Sequence, residues 1–131
     1  MSVYNTTTLR AEVHCPSIRM RRGQVLAINK CTLRALGHPG FLHFWWSESE
    51  KVLLIHGSPV ATPYAFKVSE YQHSPRYCFR CVRSALLTGI MYATGMTDKA
   101  IYVIDGVYHS QLNMVAFRLI DARIQEVELD G

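Results

Sequence analysis

Residues 41–46 and 51–56 constrain the fold of this chain more than any other stretch. Phe41, Leu42, Phe44, Trp45 and Trp46 are answered by Val52, Leu53, Leu54 and Ile55, with the polar run Ser47-Glu48-Ser49-Glu50 between them. Two short runs of aromatic, β-branched and leucine side chains around a four-residue polar connection specify a β-hairpin. Apolar residues stand at successive positions in both runs, so neither strand has a polar face. Side chains alternate between the two faces of a strand, so such a hairpin has to be covered on both sides. The cover is either a second layer of the same chain or another subunit. Where the cover is another subunit, Phe41, Phe44, Trp45, Trp46 and Leu54 are the expected dimer-interface residues.

The elements around the hairpin follow from local signals. Residues 17–22 and 24–29 are extended segments on either side of Gly23, and Val25, Ala27 and Asn29 alternate with Leu26 and Ile28 in the period of a strand. Asn29 is a helix N-cap, Leu33 and Leu36 face inward on a short helix, and Gly37 supplies a left-handed C-terminal cap. Residues 57–63 are charge-free and rich in glycine, serine and proline, the composition of an internal boundary. They divide a β-rich module at 1–58 from a second module at 64–131, unless the two form one compact domain.

In the second part, residues 64–69 read as a strand. Ser74-Pro75 is a helix start, and Cys78, Cys81, Val82, Ala85 and Leu86 make an apolar stripe at helical spacing. These predict one long helix over about 75–90. Asp105-Gly106 between apolar alternations predicts a hairpin turn joining 100–104 to 107–110. A strand at about 112–120 then completes a three-stranded antiparallel region, with a peripheral acidic tail from Gln125. The expected class is α+β.

Charge is distributed unevenly. Residues 1–47 hold six lysines and arginines against the single acid Glu12, a net +5, whereas residues 48–131 hold eight bases against nine acids, a net −1. The formal +4 of the chain therefore comes from its N-terminal third, which suits an anionic partner or a solvated basic face. With 49% hydrophobic and 18% charged residues the chain has the composition of a folded domain, not of a disordered one. The longest mostly apolar run, residues 85–96, is too short to span a bilayer, and residues 1–13 lack the apolar stretch of a signal peptide. A soluble, cytoplasmic protein without a membrane partner is expected.

The four cysteines are Cys15, Cys31, Cys78 and Cys81. Only Cys78-Phe79-Arg80-Cys81 has chelate spacing, and a zinc site is built from two such local pairs. No metal or cofactor is expected. The chain has no glycine-rich phosphate loop, no nucleophile elbow and no paired carboxylates, so a non-enzymatic protein is expected.

Gly23-Gln24-Val25-x-x-Ile28, then Lys30…Arg34-x-Leu36-Gly37-x-x-Gly40 and a hairpin, resembles the swapped-hairpin DNA-binding domains of the AbrB and SpoVT type over about residues 17–58. Asn29 stands where that pattern has proline, Arg34 lies one residue late, and Phe41 replaces the acid that follows the second glycine. The resemblance implies half of an intertwined barrel completed by a homodimer partner. It also implies contact with double-stranded DNA through Arg19, Arg21, Arg22, Lys30 and Arg34, and a transcriptional regulator of bacterial or phage-borne origin. Phosphate contacts of that kind make binding salt-dependent. The alternative reading is a non-enzymatic protein–protein interaction or adaptor module, in which the aromatic residues anchor a protein partner.

Overall fold

The computed structural model describes residues 16–21, 25–63, 65–68, 77–82, 85–97 and 99–127. Nine strands, two helices and one 3-10 turn occupy them: β1 (Ser17–Arg21), β2 (Val25–Asn29), α1 (Lys30–Ala35), β3 (Phe41–Ser47), β4 (Val52–Ser58), β5 (Phe66–Lys67), β6 (Tyr77–Val82), α2 (Ala85–Thr94), β7 (Ala100–His109), β8 (Met114–Arg118), the turn Leu119–Asp121 and β9 (Arg123–Val127). All pairings are antiparallel, in the order β5-β3-β4-β8-β7-β1-β2-β6, with β9 also on β7. The result is a curled, half-barrel sheet, a β-rich fold with few helices.

The β1–β2–α1 unit forms where local chemistry places it. Asn29 Oδ1 accepts from Thr32 N at 3.0 Å and from Thr32 Oγ1 at 2.7 Å, which caps α1. The same oxygen accepts from Ser17 N at 3.1 Å, so the helix start is tied to the start of β1. At the other end, His38 N donates to Leu33 O at 2.8 Å and Gly37 N to Arg34 O at 3.0 Å, with Gly37 at φ +82°. That pair of bonds closes a helix on a left-handed residue, the conformation glycine adopts without a steric penalty.

The hairpin is β3–β4, paired from Phe41↔Ser58 to Ser47↔Val52 around a turn at residues 48–51. Leu42, Leu53 and Ile55 are fully buried, and Leu53 and Ile55 are directly opposite Phe117 and Val115 of β8. Ile18 and Met20 of β1, Leu26 and Ile28 of β2, Ile104 of β7, Leu33 and Leu36 of α1, and Leu87 and Ile90 of α2 complete one core. Strands before residue 58 take their neighbours from strands after residue 77: β1 pairs β7, β2 pairs β6 and β4 pairs β8.

Four sequence expectations are corrected. No long helix occupies 75–90: Tyr77–Val82 is strand β6, in register with β2 from Asn29↔Tyr77 to Val25↔Val82, and the helix is the ten-residue Ala85–Thr94. The Ser74-Pro75 start signal lies outside the described residues. The free edge of β2 pairs with 77–82, and sheet pairing overrides a helical spacing of apolar residues that six positions can produce by chance. Likewise Asp105-Gly106 is no hairpin turn. Ala100–His109 is a single strand, and the turn falls at residues 110–113, where Leu112 N donates to His109 O and Asn113 N to Ser110 O. The third strand of this region is β9, not an extension of β8, because the 3-10 turn interrupts the chain after Arg118. Residues 125–127 are part of it.

Candidate functional site

The strand register determines which residues share a face. Across β3, β4, β8 and β7 one row is Trp46, Leu53, Phe117 and Gly106, and the next is Trp45, Leu54, Ala116 and Val107. The first row faces the core. The second faces away from it, and so does the row His43, His56, Met114 and His109. Phe41 and Val52 lie on this outer face as well, at opposite ends of the hairpin.

This outer face is apolar and open. Trp45 is 56% exposed and Val107 62%; each is paired on one side, Trp45 with Leu54 and Val107 with Ala116, and they stand at the two ends of the row. Leu54, Ala116, Met114, Val52, His43 and His56 are half-buried. An exposed tryptophan and valine in one row of a sheet form a contiguous apolar patch, the kind of surface that marks an interaction site. The charges on this side are Arg118, opposite Val52 and 3.6 Å from Asp121, Lys67, opposite Phe41, and, two residues before Val107, Asp105 in an ion pair with Arg123 at 3.0 Å. At the β5 end, residues 59–63 rise beside the face. Ser58 Oγ donates to Val60 O at 3.1 Å and accepts from Val60 N at 3.2 Å, and Thr62 Oγ1 lies 3.2 Å from His43 Nε2.

The five residues expected at a dimer interface divide by alternation. Phe41, Trp45 and Leu54 share the outer face. Phe44 and Trp46 pack against the core, Phe44 edge-to-face on Phe66 with ring centroids 5.0 Å apart. Of the five expected DNA contacts, Arg19, Lys30 and Arg34 have described side chains. Arg19 is half-buried within β1, opposite Ala27 on one side and Val103 on the other. Arg21 ends β1, and Arg22 lies outside the described residues. Lys30 and Arg34 are exposed and four residues apart on α1, so they share one side of that helix.

Cys31 is buried in α1. Cys78 and Cys81 stand in β6, where the helical stripe they were assigned to does not exist. Among the described residues no three His, Cys, Asp or Glu side chains come close enough to share an ion, and no helix is long and apolar enough to cross a membrane. Comparison with protein-family models, curated proteins and solved structures finds no match for this chain.

Sequence reasoning missed Val107, His56 and Met114 as members of the face. The hairpin register alone puts His43 opposite His56, so that pair was within reach of the sequence. Val107 and Met114 were not, because no local signal says that β8 pairs with β4 or that β7 continues through Gly106.

Proposed function

We propose that this protein is a non-enzymatic interaction module that self-associates through the outer face of β3, β4, β8 and β7. The observation that carries this reading is the exposed apolar row Trp45–Leu54–Ala116–Val107 on a regular sheet face. A second copy is the favoured occupant because the row Trp45–Leu54–Ala116–Val107 and the neighbouring row from His43 to His109 carry no formal charge. Two such faces brought together about a two-fold axis oppose their apolar rows, while Lys67 and Arg118 lie at opposite ends of the hairpin. Sheets pack face to face at about 10 Å, a spacing that a tryptophan from each side fills.

Light scattering on the purified chain is expected to give twice the chain mass. Trp45→Ala removes the largest exposed side chain of the patch and weakens the dimer by about 2 kcal/mol, roughly thirty-fold in Kd. Trp45→Lys with Val107→Lys gives a monomer whose circular dichroism is unchanged. A mass of one chain at every concentration overturns the proposal, and so does a dimer that ignores these substitutions.

A second reading, the AbrB/SpoVT-type regulator, is favoured by one observation: Lys30 and Arg34 are exposed together on α1, within the basic N-terminal third. It predicts duplex DNA binding whose affinity falls with salt. Lys30→Ala with Arg34→Ala lowers the slope of log K against log[salt] by about 2 per protomer. No binding at low ionic strength ends this reading while leaving the first intact.

A further inference from the structure

We infer that His43 and His56, with Met114 beside them, form a binding site for a soft monovalent cation of the cuprous type. His43 and His56 are directly opposite across β3 and β4, on the same face, with ring centroids 6.2 Å apart. An ion bonded to two imidazole nitrogens at about 2 Å each, from opposing sides, holds the ring centroids about 6 Å apart. The sheet holds the two ring centroids, with planes tilted by 43°, at a separation compatible with a shared ion. Little side-chain entropy is left to lose, because both rings are half-buried on paired strands.

A second observation points the same way. Thr62 Oγ1 lies 3.2 Å from His43 Nε2. With Nε2–H donating to that hydroxyl, Nδ1 keeps the lone pair that a metal takes. A hydrogen bond on the far ring nitrogen is the usual companion of a ligating histidine, fixing tautomer and ring orientation. The loop at residues 59–63 supplies that partner from outside the sheet.

The choice of ion follows from the donors. Met114 is opposite His56 on β8, so its thioether extends the row by one strand. Two neutral imidazoles and a thioether, on a face without a carboxylate in this row, suit a soft ion of low charge. Magnesium and calcium favour oxygen donors; zinc accepts imidazole but is normally held by four ligands, whereas a thioether beside two imidazoles selects the soft monovalent ion. His109 completes the row opposite Met114, but three strand spacings of about 4.8 Å separate it from His43, too far to share one ion. It is the internal control.

This inference goes beyond the proposed self-association and is read out differently. The test is titration of the full chain with silver(I), a redox-inert stand-in for cuprous copper, followed by NMR of methionine methyls and imidazoles. One equivalent is expected to shift the Met114 methyl together with the His43 and His56 rings, leaving His109 in place. The cysteines also take silver, so stoichiometry is compared with His43→Gln plus His56→Gln, which loses one equivalent while the thiol-bound ions remain. His109→Gln keeps it, and Thr62→Val weakens the histidine-bound equivalent about tenfold. Shifts confined to cysteines, a stoichiometry unchanged in the double variant, or zinc binding these histidines more tightly than silver would each overturn the assignment. Because these residues lie on the face proposed to self-associate, chain mass is measured for the parent and the double variant with and without silver, and the equivalent lost in the double variant is scored at equal chain mass.

Discussion

One oxygen of Asn29 organises the entry to the helical part of the N-terminal half. Its Oδ1 accepts from Thr32 N, Thr32 Oγ1 and Ser17 N, and Thr32 Oγ1 in turn lies 3.1 Å from Ser17 N. Thr32 is fully buried and Ser17 is 8% exposed, so water does not replace these bonds. Asn29→Ala is expected to lower stability by about 2 kcal/mol, combining a lost N-cap with a weakened bond to a buried N–H. Urea unfolding measures it as a shifted midpoint at constant m-value. Asn29→Asp keeps the acceptor and retains most of the stability. Asn29→Pro, the residue found here in the AbrB/SpoVT pattern, removes the acceptor and is expected to cost at least as much as alanine. An alanine variant as stable as the parent would mean that Thr32 alone holds Ser17. The cap was legible in the sequence because capping depends on residues three apart. The bond to Ser17 was not, since it joins positions twelve apart through a strand pairing.

At the scale of elements, β7 shows where local signals end. Asp105-Gly106 has the chemistry of a hairpin turn, yet the chain runs straight through it. A Cβ at Gly106 would lie 2.5 Å from Phe117 Cε1 and 2.7 Å from Val115 Cγ1, both on fully buried residues. Glycine is there to admit Phe117 against the strand backbone, not to turn the chain. Gly106→Ala is expected to cost about 1–3 kcal/mol by overpacking. Thermal or urea unfolding measures the loss, and Phe117→Leu in the same chain should recover part of it. If Gly106→Ala costs nothing, the close approach of Phe117 does not govern this position.

Other elements sort by the same principle. The hairpin at 41–58 and the helix cap at 29–37 were readable because their signals are contained within a few residues. The strand at 77–82 was not, because its partner β2 lies some fifty residues earlier. On the outer face, alternation within the hairpin separates Trp45 and Leu54 from Phe44 and Trp46. Which of the two rows is buried depends on β8, and nothing near residue 45 encodes that.

For the whole molecule, the strand order predicts that the boundary-like stretch at 57–63 does not separate two folding units. β1, β2 and β4 lie before it, and each is hydrogen-bonded to a strand that lies after it. Phe117 and Val115 from the later half complete the core around Leu53 and Ile55. A fragment ending at residue 63 keeps β1–β2, α1 and β3–β4 but exposes the pairing edges of β1, β2 and β4 and the apolar side chains behind them. Isolated hairpins are marginal in water, and the fragment has no third strand on either one. The intact chain is therefore expected to unfold in one cooperative transition seen alike by tryptophan fluorescence, which reports β3, and by far-ultraviolet circular dichroism, which reports the whole sheet. Residues 1–63 alone should lack a cooperative transition and regain one when mixed with residues 64–131. Two separate transitions in the intact chain, or a fragment that melts cooperatively by itself, would show that the charge-free stretch is a true domain boundary. In that event the pairings of β1, β2 and β4 with the later strands would be docking contacts between two domains, and the outer face, built from β3 and β4 on one side and β7 and β8 on the other, would depend on that docking.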